Sequence, residues 1–90
     1  MNAAGSLKGR GAVVTGGGRG IGAAIASALA DAGAQVIVAA RTSAEIEAVA
    51  SALRARGAHA WAVVCDVSDE AAVRSLAARA REHLATVGTN

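Results

Sequence analysis

The 90-residue sequence is almost without aromatic side chains: phenylalanine and tyrosine are absent, and Trp61 stands alone. Alanine supplies most of the 53% hydrophobic fraction, so a core built from it has little volume per residue and marginal stability is the expectation. One cysteine, Cys65, excludes an internal disulfide and gives no reason to place the chain in an oxidising compartment. No apolar run approaches the ~20 residues that span a bilayer, and Met1 to Arg10 lacks the apolar centre of a signal peptide. Neither sign of charge dominates. Nine Lys and Arg stand against seven Asp and Glu, and the arginines are scattered, which argues against nucleic acid as a partner. No cluster of His, Cys, Asp or Glu has metal-ligand spacing. The default is a cytoplasmic protein with neither metal nor membrane contact.

What is present is a regular alternation of periods. Ala12 to Thr15 is a short apolar run closed by Gly16, Gly17 and Gly18, which predicts a buried strand ending in a turn. From Gly20 the pattern becomes helical, with Ile21, Ala24, Ile25, Ala28, Leu29 and Ala32 on one face and Gly33 as the stop. Gln35 to Ala40 predicts a second strand. Thr42 and Glu45 then have capping-box spacing, Ile46, Val49, Ala50 and Leu53 form a stripe, and Gly57 ends the helix. Ala60 to Cys65 predicts a third strand. A third helix follows, with Ser68 as its expected cap and Val73, Leu76, Ala77, Ala80 and Leu84 inside.

The expectation is an α/β, Rossmann-type doubly wound parallel sheet, seen as its first β-α-β-α-β-α portion with strand order 3-2-1. Residues 1–90 form a single, incomplete dinucleotide-binding domain on this reading, and the tail from Ala85 to Asn90 supplies no further strand. A complete sheet would place the first strand centrally. Without a fourth strand its edge stays unpaired, which invites self-association or pairing with a partner protein.

The segment that carries chemistry is Thr15-Gly16-Gly17-Gly18-Arg19-Gly20-Ile21-Gly22. Its spacing is G-x-x-x-G-x-G rather than G-x-G-x-x-G, yet the physics is shared. A glycine after a strand lets the chain reverse, and a loop without side chains lets backbone reach a pyrophosphate. Free amides at the start of the next helix favour the anion. Gly22 would permit close packing of that helix. The alternative is a tight turn with no ligand, but three consecutive glycines and two more close by exceed what a turn needs.

The run T-G-G-G-R-G-I-G resembles the T-G-x-x-x-G-I-G signature of the short-chain dehydrogenase/reductase family. Leu7-Lys8-Gly9-Arg10 resembles the family's lead-in to its first strand, and Val64-Cys65-Asp66-Val67 the end of its third. The resemblance implies that Gly16, Gly18, Gly20, Ile21 and Gly22 hold the phosphates, Ile21 through its backbone amide. It also implies that Asp66 accepts a hydrogen bond from the adenine amino group while Val67 flanks the ring. Capping of the following helix is the other role open to Asp66, and the two are compatible.

Folds of this kind that use NAD usually carry an acidic residue at the end of the second strand, to bind the ribose hydroxyls. That position is Ala40. Arg41 follows it and Arg19 precedes Gly20, so two guanidinium groups are available for a 2′-phosphate. NADP rather than NAD is therefore the expected cofactor, the alternative being that both arginines are solvated surface charges.

Family chemistry requires a Y-x-x-x-K pair, yet there is no tyrosine and Lys8 is the only lysine. His59, His83 and Cys65 form no substitute set, so no catalytic residue is assigned and the chain alone is expected to be inactive. Three readings remain. The first is the NADP(H)-binding portion of an oxidoreductase separated from its catalytic part by truncation or a frameshift. The others are a non-catalytic NADP(H) sensor and a protein-interaction fragment.

Overall fold

The apolar runs and amphipathic stretches fold into six alternating elements in a computed structural model that describes residues 7–86. They are β1 (Gly11–Thr15), α1 (Gly20–Asp31), β2 (Gln35–Ala40), α2 (Ser43–Ala55), β3 (Ala60–Val64) and α3 (Glu70–Thr86). Residues 1–6 and 87–90, which bear on the expectations about a leader and a strandless tail, lie outside the described residues.

The strands pair in parallel in the order β1-β2-β3. The expected 3-2-1 names the same neighbours counted from the other edge. Val13 lies opposite Ile37, and Ile37 opposite Trp61. β2 is central, and its composition says why: Gln35 to Ala39 are all buried, as a strand covered on both faces requires. β1 has one strand neighbour among the described residues.

Two apolar clusters divide at the sheet. On one face Val14, Val36 and Val38 meet Ala26 of α1 and Ile46, Ala50 and Leu53 of α2. On the other Ile37, Ala39, Val63 and Cys65 meet Leu76 of α3, with Trp61, Ala72, Ala80 and Leu84 packed against them. α3 runs back across this face to the start of β1, where a Cβ on Gly11 would fall 2.7 Å from Leu84 Cδ1. Trp61 stacks on His83, ring centroids 5.1 Å apart, so the one aromatic ring and that histidine serve packing.

Both helix stops are Schellman closures. The Gly33 amide donates to Ala30 O at 2.9 Å and the Ala34 amide to Leu29 O at 3.0 Å. Gly57 and Ala58 repeat the pattern on Arg54 and Leu53 at 2.9 and 3.1 Å. These bonds require the left-handed backbone that both glycines adopt, φ +101° and +91°.

Four local expectations need correction. α1 buries Ala26, with Leu29 and Ala30 against the core, while Ile21, Ala24, Ile25 and Ala28 face outward. α3 buries Leu76 between Ala72 and Ala80, and leaves Val73 and Ala77 exposed. Its cap is Asp69, whose Oδ1 accepts from the Ala71 and Ala72 amides at 3.0 and 3.4 Å, because Ser68 is bonded to Asp66. Thr42 does precede α2, but its side chain makes no capping bond and Glu45 turns elsewhere.

Candidate functional site

Parallel strands bring all their carboxyl ends to one rim of the sheet. Hydrogen bonds fasten the three together there. The Gly16 and Gly17 amides donate to Ala39 O at 2.7 and 3.3 Å, and the Cys65 amide donates to Ala40 O at 2.9 Å. The glycine loop after β1, Arg41 after β2 and Asp66 after β3 thereby become neighbours.

The loop is compressed as only glycine allows. Gly16 and Gly20 have φ +69° and +63°. A Cβ on Gly22 would fall 2.0 Å from Gly16 O, so the first turn of α1 rests on the loop's own backbone rather than on the sheet. Arg19 is the extended N-cap of α1, and its side chain caps nothing. The Gly20, Ile21 and Gly22 amides open the helix, where no intrahelical acceptor exists, and the helix dipole adds positive potential. Ile21 is 80% exposed, so what it offers the loop is backbone.

A cavity of about 450 Å³ lies over this rim. Gly16, Gly18, Arg19, Arg41, Asp66 and Val67 line it, and Ala40 presents only a methyl group. Of the nine residues singled out from the sequence, these six share one cavity wall. Gly20, Ile21 and Gly22 follow directly in the first turn of α1. A binding surface with bare backbone at one end and two guanidinium groups beside it fits an elongated, anionic nucleotide.

Asp66 closes the far side by an Asx turn. The Ser68 hydroxyl donates to Asp66 Oδ1 at 2.7 Å and the Ser68 amide to the same oxygen at 3.0 Å. The hydroxyl bond is the largest cause, and the amide bond the next, of a carboxyl pKa below the ordinary aspartate value. Desolvation opposes them slightly and the Arg41 charge adds a smaller downward pull. Asp66 is thus kept as an anion and held in place by the turn, not used as the helix cap. Cys65 beside it is buried and unpaired with any other cysteine.

Sequence reasoning did not place Thr42, Glu45, Cys65 or Ser68 on this wall, and of these Glu45 alone carries a charge. Glu45, in the first turn of α2, lines the cavity and its Oε2 lies 3.7 Å from Arg19 Nη1. The signal was available: adjacent parallel strands place the start of α2 beside the loop that starts α1. Among the described residues no group of three His, Cys, Asp or Glu could hold a metal, and no helix is long and apolar enough to cross a membrane.

Three parallel strands, helices on both faces and a glycine turn at the first strand's end define a Rossmann-like α/β fold. The sequence profile of short chain dehydrogenases matches residues 10–89, and the chain belongs to that family. It is 52% identical over 69 residues to an uncharacterized oxidoreductase of Mycobacterium tuberculosis, covering 77% of this chain and 26% of that one. It is 38% identical to a 2,3-dihydro-2,3-dihydroxybenzoate dehydrogenase of Bacillus subtilis, covering 97% of this chain and 33% of the relative. Among solved structures, a hydroxysteroid dehydrogenase from Escherichia coli superposes with a TM-score of 0.85 at 36% identity, covering 87% of this chain and 32% of that one. The chain spans about a third or less of the length of these relatives.

Proposed function

We propose that this chain is the NADP(H)-binding part of a short-chain oxidoreductase whose complete form moves hydride between the nicotinamide and a carbonyl or alcohol substrate. The observation that carries the cofactor choice is the meeting of Arg19 and Arg41 in one cavity, at the end of a β2 that closes on Ala40. Gly18, Gly20, Ile21 and Gly22 hold the phosphates through backbone, and Gly16, whose own amide is bonded to Ala39 O, leaves them room by carrying no side chain. Arg19 and Arg41 receive the 2′-phosphate, and Asp66 and Val67 take the adenine. The bound dinucleotide supplies the hydride donor or acceptor. This chain binds and orients it, and with no tyrosine and a single lysine, exposed ahead of β1, it has no catalytic residue of its own.

The same reading makes residues 1–90 an incomplete domain. α1 is apolar on two sides, a property of helices covered all round. Its outer side leaves Ile25 47% exposed beside the still more open Ile21, and Val13 of β1 is 40% exposed. Together with the β1 edge that has no strand neighbour among the described residues, these side chains are where further parts of the enzyme, a second copy or a partner protein would dock. The compartment is cytoplasmic on this account.

Titration calorimetry with NADP⁺ and NAD⁺ tests the cofactor assignment. A charge-assisted hydrogen bond contributes about 1.5–3 kcal/mol, so Arg41→Ala should weaken NADP⁺ roughly tenfold or more and leave NAD⁺ nearly unchanged. Ala40→Asp combined with Arg41→Ala should reverse the preference, by repelling the 2′-phosphate and accepting the ribose hydroxyls. Equal weakening of both nucleotides by Arg41→Ala would make the arginine a packing residue and remove the NADP assignment.

A further inference from the structure

The cavity wall holds two cations and, besides Asp66, a second anion that lies outside the motifs quoted above. Glu45 belongs to the first turn of α2, and its side chain is 35% exposed against 84% for Arg19. A Cβ on Gly18 would fall 2.9 Å from Glu45 Cβ and 3.0 Å from its Oε1, so the carboxylate lies along the glycine loop. Its Oε2 approaches Arg19 Nη1 to 3.7 Å, an ion pair too long for a direct hydrogen bond. Arg19 is therefore held toward the cavity by a partner that a phosphate can displace.

We infer that Glu45 is a specificity-determining residue, one that tempers the preference for NADP by competing with the 2′-phosphate for Arg19. The inference rests on the cofactor site proposed above. A 2′-phosphate on Arg19 must displace the Glu45 carboxylate and then remain near it, two costs that fall on NADP alone. NAD brings only hydroxyls to this position, and its binding leaves the Arg19–Glu45 pair intact. Among the described residues Arg41 makes no such ion pair and feels only the weaker pull of the Asp66 charge, so the two arginines are not equivalent.

Glu45→Gln tests this with little change of shape, since the amide keeps the packing against Gly18 while the charge is lost. An exposed ion pair contributes up to about 1 kcal/mol, so NADP⁺ should bind about threefold to fivefold tighter to the variant at low salt. NAD⁺ affinity should stay the same, and the gain should shrink as salt screens the charges. In an Arg19→Gln background the gain should shrink, because the competition for Arg19 is gone and only the repulsion between carboxylate and 2′-phosphate is left to relieve. Circular dichroism of each variant checks that the fold is kept. An unchanged ratio of NADP⁺ to NAD⁺ affinity would overturn the role of Glu45 alone. So would a loss of NAD⁺ binding, which would make Glu45 a ribose ligand, or a gain undiminished in the Arg19→Gln background. If the wild-type chain binds neither nucleotide, the cofactor site itself fails and this inference with it.

Discussion

At the amino ends of β2 and β3, Gly33 and Gly57 let their helices finish: each donates its amide to a helix carbonyl, and the next residue donates to another. At the carboxyl ends of the strands, Gly16 to Gly22 do the reverse. There the chain reverses without side chains and opens a helix whose first amides have no acceptor within it. Glycine closes hydrogen bonds at one end of the sheet; at the other, Gly16 and Gly17 bond to Ala39 O while Gly20 and Gly22 leave their amides available. An end whose backbone is satisfied supports stability, and an end whose backbone is not is suited to a ligand that brings the missing acceptors.

The largest expected effect that separates the two ends is at Gly22. Alanine at an ordinary helix position gains about 1 kcal/mol over glycine. At Gly22 the methyl would meet Gly16 O at 2.0 Å, a backbone atom fixed by the loop. Gly22→Ala should therefore lose stability by about 3 kcal/mol and abolish nucleotide binding, read by urea unfolding and by titration with NADP⁺. A stabilised variant that still binds would mean the loop is not built on that approach.

Gly57→Ala is the matching change at the opposite end. Nothing stands within 4 Å of the added methyl, so only the left-handed backbone resists it. The expected cost is about 1–2 kcal/mol in urea unfolding, with nucleotide affinity unchanged. A change in affinity would show that the two ends are coupled.

The smallest effect sharpens the rim itself. Removing the Ser68 hydroxyl takes away the main cause of the lowered Asp66 pKa, so Ser68→Ala should move the carboxyl back up toward the ordinary aspartate value, read by NMR titration. A carboxyl with a depressed folded pKa contributes stability that is fully present above its unfolded value and is lost as pH falls through the folded value. The stability difference between wild type and Ser68→Ala should accordingly close as the solution is acidified through that window. An Asp66 that titrates alike in both would remove the Ser68 hydroxyl bond as the main cause.

These particulars also separate what was legible from what was not. Each strand was visible as an apolar run, and both glycine stops were visible because a left-handed cap leaves a one-residue signature. The partition of α1 was not. Its residues are apolar on two sides, so periodicity offers two faces and packing against Val14 and Val38 selects the one with Ala26. The cap of α3 was misplaced by one residue, since Ser68 and Asp69 are both good caps and Asp66 had already engaged the serine. Glu45 had capping-box spacing but was drawn toward Arg19 from another element.

By itself the sequence determined the alternation of strands and helices, the glycine loop at the first strand's end and the two arginines near it. These depend on short-range rules: side-chain period, backbone freedom at glycine, and the few residues around a turn. Only the tertiary structure decided which face of α1 is buried, that Asp69 rather than Ser68 caps α3, and that Glu45 shares a cavity with Arg19, Arg41 and Asp66. Those outcomes are competitions between groups from different elements, and they are settled by which partner the parallel sheet brings within reach.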